Sequence, residues 1–226
     1  MRIRWYGQSA FLLSGDHTVF IDPFGEMSGL AARGLEFNYP PVADVSADLL
    51  LLTHEHGDHN VVCVVDGDPV TIRSTAGRFE SPVGEVVAIA SEHDDAAGTV
   101  RGPNTIFRFE LDGVRVCHLG DFGQRALRPE QREAIGEVDV LFIPVGGGPT
   151  IGGEGAADVV RTIAPRVVVP MHYRTPAVNF LESPDEFLAA LDLPTTAAPS
   201  NDVDLDELLS PGAGPRVLLL APPKER

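Results

Sequence analysis

The sequence predicts an α/β protein in which two β-sheets pack together with helices outside, a sandwich rather than a barrel. Short β-type runs crowd the amino-terminal half with little between them, whereas the later runs alternate with helical segments. The 23 glycines and 19 prolines make turns frequent and argue against long uninterrupted helices. In order, strands are expected at Arg2–Tyr6, Ala10–Ser14, His17–Asp22, Asp48–Thr53, Val83–Glu92, Asn104–Leu111, Val114–Leu119, Val138–Val145, Arg166–Pro170 and Arg216–Leu220. Gly15-Asp16 and Asp112-Gly113 read as hairpin turns. A short helix is expected over Pro129–Ile135. Another spans Glu154–Ala164, with Ala156, Val159, Val160 and Ile163 on one face and Pro165 as its stop. A third covers Ser183–Leu191, with Ser183 as N-cap and Pro184 at the first helical position. Gly25–Ser46 and Pro194–Pro215 are expected to be irregular. The second should wrap the surface. The first holds Met27, Leu30, Leu35, Phe37 and Tyr39, too apolar for a free linker and suited to a lid or pocket wall. No linker or repeat divides the chain, so one domain over 1–226 is expected.

With 226 residues, 43% of them apolar, the chain is long enough to bury a substantial core. Lys224 is the only lysine, which removes Schiff-base and pyridoxal chemistry and any P-loop. The net charge of −16 opposes a nucleic-acid partner, which calls for a basic stripe. A small-molecule substrate is expected, with neither nucleic acid nor membrane as partner. Cys63 and Cys117 sit in apolar runs and are expected to be buried and inert. The start, MRIRWYGQSAFLLSG, lacks the apolar stretch of a signal peptide, and no run approaches the roughly 20 apolar residues of a membrane span, so a cytoplasmic location is expected.

The chemistry concentrates after Leu49–Leu52, an apolar run that breaks into Thr53-His54-Glu55-His56-Gly57-Asp58-His59. Histidines this dense repel one another when protonated and waste burial when neutral; a cation resolves both. His-x-His lets two imidazoles converge on one metal, and the following Asp-His pair can turn toward a second. The pattern of an apolar run ending in a ligand recurs at Val86–Ser91 before His93, Val114–Leu119 before Asp121, and Val167–Met171 before His172. Ligands at the ends of neighbouring strands converge. His54, His56, Asp58, His59, His93, Asp121 and His172 together are the complement of a two-metal site.

These motifs, with Asp22-Pro23, Arg101-Gly102-Pro103-Asn104-Thr105, His118-Leu119-Gly120-Asp121 and Pro144-Val145-Gly146-Gly147, resemble the metallo-β-lactamase superfamily. Within it they resemble the compact metal-dependent hydrolases related to the lactonase and phospholipase D-like members. The resemblance implies a four-layer αββα sandwich. It implies that His54, His56 and His93 bind one metal, that Asp58, His59 and His172 bind a second, and that Asp121 bridges them. A metal-bridging hydroxide would then attack a small ester, lactone or phosphodiester, with Asp58 and Asp121 essential to catalysis. Three-histidine coordination favours zinc, and manganese or iron also suits the carboxylate share. A nuclease of the same fold and a non-catalytic metal-stapled domain are the alternatives.

Glu55 is expected to point away from the metals. Asp22 is either an acceptor that orients a metal histidine or a strand-end turn. His118 is expected to pack behind the site and His17 to be exposed. Gly146-Gly147-Gly148 either approaches the metals or permits a tight turn. Tyr173 and Arg174 are candidate substrate contacts. Arg101 is a weaker one, or the partner of Asp94 or Asp95 in an ion pair.

Overall fold

A computed structural model describes residues 1–224. Its strands are β1 (Arg2–Gly7), β2 (Ala10–Ser14), β3 (Thr18–Ile21), β4 (Val45–Ser46), β5 (Leu49–Leu52), β6 (Val65–Asp66), β7 (Val70–Arg73), β8 (Gly77–Ser81), β9 (Gly84–Glu92), β10 (Pro103–Leu111), β11 (Val114–His118), β12 (Val140–Pro144), β13 (Val167–Met171), β14 (Thr195–Ala197), β15 (Asp202–Asp204) and β16 (Arg216–Leu219). The helices are α1 (Pro129–Ile135), α2 (Gly153–Ile163) and α3 (Asp185–Leu191). One sheet runs β15-β1-β2-β3-β5-β7 and the other β14-β16-β13-β12-β11-β10-β9-β8, so the predicted α/β sandwich is present.

Side-chain alternation explains the layering. Phe11, Leu13, Val19, Ile21, Leu49 and Leu51 face the core shared with the larger sheet, where Phe11 meets Phe142 of β12 at 4.6 Å between ring centroids. Ala10, Phe20, Leu50 and Leu52 face the other way, into a second cluster with Phe24, Tyr39, Val42, Val65, Val178 and Leu181. The four leucines of β5 are thus buried on both faces, which is why they read as a continuous apolar run. The fourth layer over the smaller sheet comes from irregular chain and 3₁₀ turns (Ser28–Arg33, Val62–Val64), while α1, α2 and α3 add their buried faces to the core of the larger sheet.

The structure corrects several expectations. Pro194–Pro215 does not merely wrap the surface: it supplies β14 and β15, one edge strand to each sheet. Ser183 is not the N-cap of α3, which begins at Asp185 with Pro184 before it; the Ser183 hydroxyl instead lies 2.9 Å from the Asp185 carboxylate. Cys63 is exposed, because its apolar run turns as a short 3₁₀ helix instead of entering a sheet; Cys117 is buried, and burial pushes its thiol up to about 12. Among the described residues no helix is long and apolar enough to cross a membrane.

Candidate metal centre

Four segments bring the candidate ligands together, each leaving the carboxyl end of a strand. β5 leads to His54–His59, β9 to His93, β11 to Asp121 and β13 to His172. The first group belongs to the smaller sheet and the others to the larger, so the cluster lies where the two sheets meet. Thr105 N–H donates to Thr53 O at 2.9 Å across that junction. Gly120 turns the chain between β11 and Asp121 with φ of 57°, and a Cβ there would lie 2.4 Å from Asn104 Oδ1 and 2.7 Å from Thr53 Cβ. Only glycine fits. Gln8, Asp22 and His172 also hold left-handed backbone, with φ of 46°, 52° and 50°, strain of the kind that gathers at functional sites.

All seven predicted residues converge. Donor atoms of His54, His56 and His93 lie within 4.8 Å of one another, as do those of Asp58, His59 and His172. Asp121 joins the groups: its Oδ2 is 3.9 Å from His54 Nε2, 3.2 Å from His93 Nε2, 3.3 Å from His59 Nε2 and 3.2 Å from His172 Nε2. Asp58 Oδ2 is 3.5 Å from His59 Nε2. His56 is the exposed member; His54, His59, His93, Asp121 and His172 are buried.

Hydrogen bonds behind the imidazoles fix which nitrogen faces inward. Asp22, fully buried, accepts from Thr53 N–H (2.8 Å), Thr53 Oγ1 (2.7 Å) and His59 Nδ1 (3.1 Å). The Thr53 hydroxyl has one proton and gives it to Asp22, so His54 Nδ1–H must donate to Thr53 Oγ1 at 3.0 Å. His93 Nδ1 donates to Pro149 O at 3.0 Å. The Nε2 atoms of these three rings are left for the centre, and those of His54 and His59 are buried without a hydrogen-bond partner. Orphaned buried nitrogens around a carboxylate are what a divalent cation would satisfy, and the donor set of imidazoles and carboxylates fits such an ion.

The charges divide the cluster. Burial pushes His54 down to about 2, helped by the charge on His59, so its imidazole is neutral as a ligand must be. Burial also acts to raise Asp121 and lower His59, but charge prevails: His172 and His59 hold Asp121 well below the usual carboxylate range, and Asp121 and Asp58 hold His59 well above the usual imidazole range, so an ion binding there would displace a proton from His59.

The surrounding residues sort themselves plainly. Asp22 is the acceptor that orients ring nitrogens. Glu55 turns outward onto Arg73, Ser74 and Asn60. His118 donates from Nε2 to Ser9 O and accepts Gly120 N–H on Nδ1, a packing role, and His17 is partly exposed beside Asp48. Gly146 permits close packing, since a Cβ there would lie 2.2 Å from His172 O. Two expected contacts are corrected. Tyr173 is buried against Trp5, with centroids 5.4 Å apart, and Arg174 donates to Leu181 O at 2.6 Å; neither lines the cavity over the cluster. Arg101 is not ion-paired with Asp94 or Asp95, and it does line that cavity, which measures about 460 Å³. Met27, Leu30 and Leu35 form part of its wall, the second of the two roles expected for the segment, while Phe37 and Tyr39 pack into the second core cluster. Spacing alone missed Thr53, Ser9, whose hydroxyl donates to Asp121 Oδ1 at 3.0 Å, and Gln8, whose Nε2 lies 3.3 Å from His172 Nε2.

A family model described as a beta-lactamase superfamily domain matches residues 2–172, from the first strand to the last of these ligands. A UPF0173 metal-dependent hydrolase of Thermococcus kodakarensis is 32% identical over 214 residues, covering 83% of this chain and 90% of its own. Another from Pelotomaculum thermopropionicum is 28% identical and covers 94% and 98%. A crystal structure from Thermotoga maritima, of a member of the metallo-β-lactamase superfamily, superposes with a TM-score of 0.75 at 31% identity, covering 97% of this chain and 98% of its own. The likeness thus extends over both sheets and the ligand cluster, and the chain belongs to the metallo-β-lactamase superfamily, among its UPF0173 metal-dependent hydrolases.

Proposed function

We propose that the protein is a dinuclear hydrolase of small esters, lactones or phosphodiesters. The observation that carries this reading is the division of the cluster into two ligand groups that share Asp121. His54, His56 and His93 would hold one ion, Asp58, His59 and His172 the other, and Asp121 both. When bound, divalent ions of this kind supply Lewis acidity to a carbonyl or phosphoryl oxygen and make water nucleophilic at neutral pH. Zinc suits the histidine share best.

The chain's own residues do the rest. Asp22, through Thr53 and directly, keeps protons on His54 Nδ1 and His59 Nδ1 so that both Nε2 lone pairs face the centre. Ser9 donates to Asp121 Oδ1 and fixes which carboxylate oxygen turns inward. Met27, Leu30, Leu35 and Phe180 offer apolar surface to an acyl chain or ring. The −16 charge supports a small substrate over a polyanion such as RNA.

The test combines elemental analysis of metal-loaded protein with a panel of aryl esters, lactones, phosphodiesters and single-stranded RNA, with and without chelator. Two ions per chain and chelator-sensitive hydrolysis of small substrates are expected. Asp58→Ala and Asp121→Ala should each lower the rate by about 100-fold or more with the fold intact. One tightly held ion per chain, near-normal turnover by Asp121→Ala, or salt-sensitive cleavage of RNA with inert esters and lactones would overturn the reading.

A further inference from the structure

Besides the candidate ligands and the apolar wall, two guanidinium groups line the cavity: Arg33, the last residue of the 3₁₀ helix, and Arg101, in the loop between β9 and β10. Among the described residues neither side chain has an ion-pair or hydrogen-bond partner. Other arginines are tied to carboxylates, as Arg73 is to Glu55 and Arg125 to Asp95, or to main-chain carbonyls, as Arg174 is to Leu181. Arg108, on β10, shares the unpaired state but lies outside the cavity. In a chain with 33 acidic groups against 17 basic ones, two uncompensated cations at the mouth of the metal site are a specific arrangement.

Arg101 is also held in position. Asp94, adjacent to His93, accepts main-chain N–H bonds from Ala96 (2.8 Å), Gly98 (2.8 Å), Val100 (3.1 Å) and Arg101 (2.7 Å). The loop is folded around that carboxylate and Asp95 is taken by Arg125, while Arg101 lines both this cavity and the neighbouring one that Asp94 and Asp95 border. Arg33 arrives from a different segment, where Gly34, with φ of 71°, closes the 3₁₀ helix by donating to Ala31 O at 3.0 Å. A planar guanidinium without a partner is matched to an oxyanion. Positive charge in a concave site on an acidic molecule also draws anions from solution.

Resting on the hydrolase reading above, we propose that the substrate carries an oxyanion away from its scissile bond, a carboxylate or phosphate substituent that Arg33 and Arg101 bind. The body of such a substrate lies along Met27, Leu30, Leu35 and Phe180, and its reactive group lies over Asp121.

The experiment uses metal-loaded protein and matched lactones and aryl esters: one neutral, one with a terminal carboxylate and one with a terminal phosphate. The anionic members should have kcat/KM higher by about tenfold or more, the difference residing in KM. Arg33→Gln and Arg101→Gln should each shrink that preference several-fold and the double variant remove it, with metal content unchanged. Arg108→Gln is the control and should keep the preference. Whichever of the two anions gains more identifies the source. Calorimetric binding of glutarate and inorganic phosphate gives a readout independent of turnover, and the double variant should lose it. If no panel member is hydrolysed, the hydrolase reading fails and this calorimetric comparison decides the anion site by itself. Equal rates on neutral and anionic partners, or anion binding unchanged in the double variant, would overturn the proposal.

Discussion

One buried carboxylate governs two imidazoles that the proposed ligand sets assign to different ions. Asp22 takes the Thr53 proton, which obliges His54 to donate from Nδ1, and it takes the Nδ1 proton of His59 directly. The Thr53 hydroxyl and His59 Nδ1 both bond Asp22 Oδ2 while Thr53 N–H bonds Oδ1, so Asp22→Asn, with its amide oxygen kept on Thr53 N–H, turns donors toward both and leaves both imidazoles without the acceptor. Outer partners of this kind are worth about 10–100-fold in metal affinity. Asp22→Asn should therefore weaken zinc binding at both sites by about that factor. Thr53→Val should weaken only the site that His54 serves. Competition against a chromophoric chelator measures both, and affinities within about twofold of the parent for Asp22→Asn would refute the relay. The candidate cluster was legible because three histidines and an aspartate crowd six positions after an apolar run. Ser9 and Gln8 were not, because their partners come from other segments and linear spacing carries no sign of them, and Thr53 gains its role only through the remote Asp22. Tyr173 and Arg174 misled for the converse reason: adjacency to His172 says nothing about side-chain direction when the ligand's own φ is 50° and the chain turns there.

Strands missing from the sequence-based expectation include β7, β8, β14 and β15, and each is the edge of a sheet. An edge strand can leave both faces half-solvated, so the alternation that marks a buried strand fades; β8 has no fully buried residue. Inner strands such as β5, β12 and β13 are buried throughout and were legible as apolar runs. Chemistry and anchoring occupy opposite ends of the larger sheet. Its carboxyl ends carry the candidate ligands, while at the other end Asp139, just before β12, accepts Arg115 N–H (3.0 Å) and Arg115 Nε–H (2.8 Å) and lies 3.6 Å from Arg166. The Arg115 guanidinium, then its N–H, hold the Asp139 carboxyl below the usual carboxylate range. A depressed carboxyl stabilises the fold fully above its unfolded pKa of about 3.9, and the contribution is lost as pH falls through the folded value. Arg115 is about one-third exposed, so solvent screens part of the interaction. Asp139→Asn should cost about 1–2 kcal/mol at pH 7, and the difference from the parent should narrow below about pH 4. Urea unfolding at the two pH values tests this, and an equal loss at both would contradict it. Metal affinity should not change, because the ligands lie at the far end of the sheet.

The predicted sandwich fixes where its two sheets can be tied together. Its shared core is side-chain packing, Phe11 on Phe142 among others, whereas the ligand cluster is polar and joins His54–His59 of one sheet to His93, Asp121 and His172 of the other. Without an ion, that junction holds buried nitrogens with no partner and an uncompensated crowd of imidazoles around Asp121. An ion bound there is linked to folding as well as to chemistry, because the unfolded chain offers no converged site. At a metal concentration about 1,000 times Kd, one site adds about 4.1 kcal/mol to stability. For a chain of this size each kcal/mol moves the midpoint by about 2–4 °C, so metal-loaded protein should melt about 8–16 °C above chelator-treated protein, and more if both sites contribute. The variant with His54→Ala and His56→Ala should retain part of that shift through Asp58, His59 and His172. His172→Ala should likewise retain only the part carried by the other group. Differential scanning calorimetry with zinc and with excess chelator gives the comparison directly. Midpoints within about 2 °C of each other would mean that the junction is already satisfied without an ion, and the case for a metal-pinned interface between the sheets would fall.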